Sequence, residues 1–385
     1  MDFTLTPEQQ LLSEGLSKFL AARYDLAESR TVAKVGEGWQ PTIWKAFADE
    51  LGVIGACLPE SVGGDDGGPE ELMVVTEALG HALVIEPFVD TVVLGARLLA
   101  RTDDKRARAV AKEIAAGDAL SALAALEDGS GGLLNHVGTR AERTDGGWIL
   151  NGAKAVVTTA PIARYLIVAA RTAGDVRDLD GISLFLVDLG DGKDGGRPEG
   201  LTLHPIRTVD DRRAADIEIH DLALPADALI GPEGDALPLL QHAWDEATAA
   251  VVSEAVGAMR KVFTDTVEYS KQRQQFGVPI GSFQALQHRM VDMFIELEQA
   301  VAAQYYAILT LDAEPAERAA AVSAAKATIS RAARFIGQNT VQLHGGMGMT
   351  EELAIGHFFR RLTAIEYEFG TADAHLARYA SLSAV

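Results

Sequence analysis

The order of the hydrophobic periodicities constrains this chain more than any other feature. Helical patterning runs to about Gly117, short strand-like runs take over from about Ala119, and helical patterning returns after Pro238 and persists. Thr6-Pro7-Glu8-Gln9 is a helix start, with Thr6 as cap, Pro7 at the first helical position and Gln9 completing a capping box. Breaks fall at Gly36-Glu37-Gly38 and at Gly63 to Pro69, the second reading as a long, flexible, acidic loop. In the middle, Gly147 to Asn151-Gly152 reads as strand then turn. Tyr165 to Ala170 and Ile182 to Val187 are short apolar runs, and Ala215 to His220 alternates with period two. Gly190 to Gly200, rich in Gly and Asp, reads as an exposed loop. In the last third, Leu286, Met290, Met293, Leu297 and Val301 line one helix face, and another helix is expected from about Ala316 to Leu343. The chain is therefore expected to be mostly α with a β insert. It divides into an N-terminal helical domain (1–118), a small antiparallel β-barrel or sandwich (119–232) and a C-terminal four-helix bundle (233–385).

Composition narrows the function classes. Of 385 residues 48% are apolar, enough for a sizeable core, and the formal net charge is −21. A polyanion is repelled by nucleic acid and by anionic membrane, so neither is expected as a partner. One cysteine, Cys57, rules out a disulfide within the chain and suits a reducing compartment. It reads as a small buried residue. The first ten residues carry an early Asp and no apolar segment of signal-peptide type, and no apolar run approaches the ~20 residues of a spanning helix. A cytoplasmic protein is expected. The histidines, among them His242, His288, His344, His357 and His375, show no metal-ligand spacing and read as structural or solvent-facing. No metal site is expected.

Three stretches carry a resemblance. They are Gly152-Ala153-Lys154-Ala155-Val156-Val157-Thr158, then Arg273-Gln274-Gln275-Phe276-Gly277-Val278-Pro279-Ile280, then Gln342-Leu343-His344-Gly345-Gly346-Met347-Gly348. In this order and spacing, over nearly the whole chain, they resemble the acyl-CoA dehydrogenase family. The resemblance implies FAD as cofactor, an acyl-CoA thioester as substrate and electron-transfer flavoprotein as electron acceptor. In that chemistry a carboxylate takes the α proton while the β hydrogen leaves as hydride to the flavin. By the same resemblance Arg273 clamps the pyrophosphate in a guanidinium fork, Phe276 packs against the cofactor, and Gln342 and Gly346 meet its adenylate end. These residues are implied to reach into a neighbour's flavin site. Thr158 matches the threonine near flavin N5, and Thr371 belongs to the Gly-Thr that follows one of the family's two base positions.

The departures are concentrated elsewhere. Val156 stands where the family has Trp. Ala122 to Leu126 is apolar where a polar flavin loop is expected. One base position is Phe369, and the other, counted back from Arg273, is Ala247. Glu246 and Glu368 are the displaced acids that remain as alternative bases, although one helical step turns a side chain by about 100°. Glu366 and Glu368, either side of Tyr367, read as sharing a solvated face. The pattern resembles the small, pimeloyl-CoA-dehydrogenase-type subunits of heteromeric enzymes. It implies no catalytic residue in this chain and a second acyl-CoA dehydrogenase subunit that supplies base and flavin cradle, as an α2β2 assembly. A self-sufficient homo-oligomer with a relocated base and a non-enzymatic scaffold are the alternatives.

Overall fold

The computed structural model describes residues 4–190 and 196–383. The central part of the expected Gly190 to Gly200 loop therefore lies outside the described residues. The chain forms two compact units. One comprises Met1–Arg30, Gly68–Val84 and Thr248–Val385, the other Thr31–Gly67 and Ile85–Ala247.

The first unit is helical: α1 (Pro7–Arg23), α4 (Pro69–His81), most of α7 (Leu237–Gln272), α8 (Gln284–Leu309), α9 (Pro315–His344), α10 (Ile355–Tyr367) and α11 (Ala372–Ser383). The capping box on α1 forms as the sequence predicts: Thr6 accepts from the Gln9 amide and the Gln9 side chain accepts from the Thr6 amide. Helix α9 is the axis of the unit, with α8, α10 and α11 packed around it. Its sequence is small and apolar at most positions, which lets three neighbours approach at once. Helices α4 and α7 cross still more closely through two glycines. A Cβ on Gly80 would lie 1.9 Å from the Glu254 carbonyl oxygen, and one on Gly257 would lie 1.9 Å from that of Glu77. On α8 the expected stripe is present, with Met293 and Leu297 buried. Val291, Phe294 and Ile295 form a second apolar stripe, exposed to solvent.

The second unit holds α3 (Pro41–Asp49), a π-helix over Val89–Arg97 continued by α5 (Leu98–Ala100), α6 (Lys105–Ala115) and one eight-stranded sheet. The strands are β1 (Ser121–Ala124), β2 (Arg140–Thr144), β3 (Gly147–Thr158), β4 (Tyr165–Arg171), β5 (Ile182–Asp188), β6 (Leu201–Arg207), β7 (Arg213–Pro225) and β8 (Leu229–Ile230). They lie in the order β6-β7-β3-β2-β4-β5-β8, with β1 against β4. The sheet is mixed rather than purely antiparallel, because β1 pairs with β4 in parallel. The predicted turn at Asn151-Gly152 is a bulge inside β3, and a second register shift falls between Lys154 and Val157. Trp148 and Phe185 meet edge-on at 5.2 Å in the core, with Leu150, Leu166 and Val168 around them.

The Gly63 to Gly67 segment is pinned, against the expectation of a flexible loop. The Asp65, Asp66 and Gly67 amides donate to the carbonyls of Gly55, Leu58 and Ala56. A Cβ on Gly64 would come 2.1 Å from the Leu58 carbonyl oxygen, so only glycine admits this approach. Cys57 is buried, and burial pushes its thiol pKa up.

Candidate functional site

The predicted site residues divide between the two units. Arg273, Phe276, Gln342, Gly346, Glu368 and Thr371 belong to the helical unit, and Thr158 and Glu246 to the sheet-containing one.

In the helical unit, Arg273 directly follows α7 and is exposed, and its guanidinium makes no hydrogen bond or ion pair among the described residues. A two-residue β-hairpin follows, β9 (Gln274–Gln275) against β10 (Val278–Pro279). Phe276 sits at its tip with φ +55° and is 94% exposed. Gln342 is exposed on the last turn of α9, and no atom lies within 4 Å of where a Cβ on Gly345 or Gly346 would stand. The ends of α7 and α9 are held together by Tyr269 stacked on His344 at 4.3 Å. His344 is in turn fixed by its Nδ1, 2.9 Å from the Thr340 carbonyl. An unpaired guanidinium, an open diglycine and a solvent-facing aromatic ring thus stand on two tied helix ends. That donor set suits a phosphorylated cofactor carrying an extended ring, and it fits the FAD contacts expected of Arg273, Phe276, Gln342 and Gly346.

The turn after α10 is built with unusual care. Phe369 has φ +58°, rare for a bulky residue, and Gly370 follows at φ +109°. Lys326, buried on α9, donates to the carbonyls of Ile365 at 2.8 Å, Glu366 at 3.2 Å and Gly370 at 3.0 Å. Its burial pulls the ammonium pKa down to about 8, against the opposing pull of Glu368 and Glu366. His375 Nε2 lies 2.9 Å from the Phe369 carbonyl. Thr371 caps α11 by accepting from the Ala374 amide at 3.2 Å. Glu366 and Glu368 do not share a solvated face. Glu366 is buried and accepts from Arg334, while Glu368 accepts two bonds from Arg361, which also holds Glu254. Only Tyr367 between them is exposed.

In the other unit Glu246 is fully buried on α7. It accepts from Arg97 at 2.7 Å and from Arg101 at 2.6 and 2.7 Å, and His242 Nε2 lies 3.7 Å away. Burial alone would raise its carboxyl pKa, but His242, Arg97 and Arg101 outweigh that and hold it well below the usual carboxylate range. Ala247, at the position where the resemblance leads one to expect a base, is also buried. Strand β1 is buried along its whole length. Behind it, buried Lys154 donates to Glu127 at 2.6 Å. Burial pulls the Lys154 ammonium down to about 8 although Glu127 raises it. Thr158 is half-buried at the end of β3, and its hydroxyl donates to Asp90 at 2.6 Å. This half of a flavin site does not fit FAD as the helical half does: the expected loop is a buried apolar strand, and the threonine hydroxyl is already engaged.

Asp90, Lys326 and the Arg97–Arg101 pair escaped the sequence reading. Their partners lie tens of residues away, so no spacing marks them. Lys326 alone leaves a trace, as a single charge in the small-residue run Ala319 to Ile329. Among the described residues no group of three or more His, Cys, Asp or Glu is arranged to hold a metal, and no helix is long and apolar enough to cross a membrane.

A helical unit built around α9 and a second unit built on a mixed eight-stranded sheet define the class. The acyl-CoA dehydrogenase N-terminal, middle and C-terminal domain descriptions match residues 6–118, 122–222 and 237–381. The chain belongs to the acyl-CoA dehydrogenase family, whose FAD-dependent chemistry oxidises acyl-CoA. It is 28% identical over 381 residues to the probable acyl-CoA dehydrogenase YngJ of Bacillus subtilis, covering 97% of both chains. It is similar to the ChsE4-ChsE5 complex of Mycobacterium tuberculosis (26% identity, TM-score 0.88, 100% of both chains covered). It is also similar to the FAD complex of PigA (26% identity, TM-score 0.88, covering 99% of this chain and 98% of that one).

Proposed function

We propose that this chain is one subunit of a heteromeric, FAD-dependent acyl-CoA dehydrogenase, and that a related second subunit supplies the carboxylate base. The observation that carries this reading is the state of the three candidate positions. Phe369 cannot take a proton, Glu246 is locked between Arg97 and Arg101, and Glu368 is locked on Arg361. Arg97 and Arg101 hold the Glu246 carboxylate ionised, and both Glu368 oxygens are taken up by Arg361, so neither acid is free to accept a substrate proton without breaking these bonds.

In this reading the chain lends the half-site on its helical unit. Arg273 holds the pyrophosphate, Gln342 and Gly346 meet the adenylate end, Phe276 packs on the cofactor, and Thr371 lies on the turn beside it. FAD when bound accepts the hydride that leaves the acyl β carbon, and an electron-transfer flavoprotein reoxidises it. The exposed face formed by Val291, Phe294 and Ile295 on α8 supports assembly with another chain, since a contiguous apolar stripe is costly to leave in water. The similarity to a two-component assembly, ChsE4-ChsE5, supports the same reading. An α2β2 arrangement in the cytoplasm and an acyl-CoA substrate complete the proposal.

The test is the chain purified alone. The expected preparation is colourless, with FAD far below one per chain and no turnover on acyl-CoA. One tightly bound FAD per chain together with turnover would overturn the subunit reading in favour of a self-sufficient enzyme.

A further inference from the structure

Three uncommon features meet at one point of the sheet-containing unit. A nine-residue π-helix, Val89–Arg97, carries Asp90 in its first turn. Strand β3 ends in strained backbone, with Val156 at φ +49° and Thr159 at φ +66°. Between them, Asp90 accepts from the Thr158 hydroxyl on one carboxylate oxygen at 2.6 Å and from the Thr159 hydroxyl on the other at 2.7 Å. Extended π-helix and left-handed β-branched residues each cost free energy, and such features gather where a structure is doing something specific. Asp90 and Thr159 are buried, but Thr158 is only half so.

The hydroxyl protons decide what Thr158 can offer a ligand. A threonine hydroxyl has one proton. Both protons here point at Asp90, so the Thr158 oxygen presents lone pairs only. The locus can accept a hydrogen bond and cannot give one. We infer that Asp90 sets this polarity, so that the chain's own Thr158 face rejects oxidised flavin, whose N5 is an acceptor, and tolerates reduced flavin, whose N5–H is a donor. The inference rests on the subunit reading, which it deepens, and on the family resemblance, which implies that Thr158 stands beside flavin N5. The chain's own face is closed by a named carboxylate as well as by the loss of a polar loop, while the half lent to the partner stays open.

The experiment is anaerobic equilibrium dialysis of the full-length chain against FAD, oxidised or reduced with dithionite, for wild type, Asp90→Ala and Asp90→Ala/Thr158→Val. Wild type is expected to bind reduced FAD at least about fivefold more tightly than oxidised FAD, the scale of one hydrogen bond gained against one acceptor pair opposed. In Asp90→Ala the freed Thr158 proton can meet N5, so oxidised FAD should bind at least about fivefold better than to wild type. Adding Thr158→Val should abolish that gain. Equal binding of the two redox forms by wild type, including binding too weak to detect for either, overturns the inference. So does a preference that survives in Asp90→Ala. Should Asp90→Ala fail to fold by circular dichroism, the wild-type ratio decides alone. These results are separable from the fate of the subunit reading, which falls only if wild type carries tightly bound oxidised FAD with turnover.

Discussion

Arg361 grips Glu368 through two parallel bonds, Nη1 to Oε1 at 2.5 Å and Nη2 to Oε2 at 3.0 Å, while its Nε and Nη2 hold Glu254 at 2.7 and 2.8 Å. One guanidinium thus ties the turn that carries Phe369 to helix α7. Both carboxylate oxygens of the acid beside Phe369 are thus engaged by the arginine.

Glu368→Gln should therefore leave turnover of the assembled enzyme within a few-fold of wild type, because Gln keeps the size and one of the two acceptors. Loss of a true base lowers kcat by ~10²–10⁴ with flavin still bound. Single-turnover flavin bleaching separates the two cases, and a drop of that size would make Glu368 the base.

Glu246→Gln should affect stability rather than chemistry. Its carboxylate is the partner of two arginines, one of them buried, and breaking a buried pair from one side typically costs about 3–5 kcal/mol. Urea denaturation should show a loss of that order, while the fraction that stays folded should turn over within a few-fold of wild type. Unchanged stability would contradict the buried geometry.

Arg273→Ala should release flavin without dissolving the assembly. A charge-assisted phosphate contact is worth about 1.5–3 kcal/mol, roughly a ten- to hundredfold loss of FAD affinity. Size-exclusion mass and FAD titration of the mutant complex together read the two effects. Normal FAD affinity would place the clamp elsewhere.

Lys326 makes stability depend on pH with a definite sign. Its pKa is about 8 in the folded chain against 10.5 for the free side chain. Between those values the unfolded chain binds more protons, so this lysine's contribution to stability rises with pH through that window. The stability difference, wild type minus Lys326→Met, should therefore grow from pH 7.5 to pH 10, by up to roughly 2.4 kcal/mol if the whole shift is expressed. Chemical denaturation at several pH values measures it. A flat difference would show that Lys326 keeps its ordinary pKa, and a shrinking one that its pKa is raised; either contradicts the account.

What was legible in the sequence was what repeats locally. The capping box at Thr6, the strand of Ala215 to His220 and the long helix ending near Leu343 all follow from three- to four-residue or two-residue spacing. The family motifs at Arg273 and Gln342 were legible as well, each being continuous in the chain. The pairing of β1 with β4 was not, because a parallel neighbour leaves no turn between its strands. Nor was the α4–α7 crossing, since Gly80 and Gly257 are ordinary glycines until their backbones meet. The buried polar contacts between distant residues were the least visible. Glu127 with Lys154, Asp90 with Thr158 and Arg97 with Glu246 each join residues that no local pattern connects.

The most direct test of the central claim is capture of this chain from its native cell under gentle conditions, with subunit identity and flavin measured on the captured complex. A second acyl-CoA dehydrogenase subunit in equal amount is expected, with about one FAD for each pair of unlike chains and acyl-CoA turnover in the complex alone. A homo-oligomer of this chain that carries one FAD per subunit and turns over unaided would contradict it.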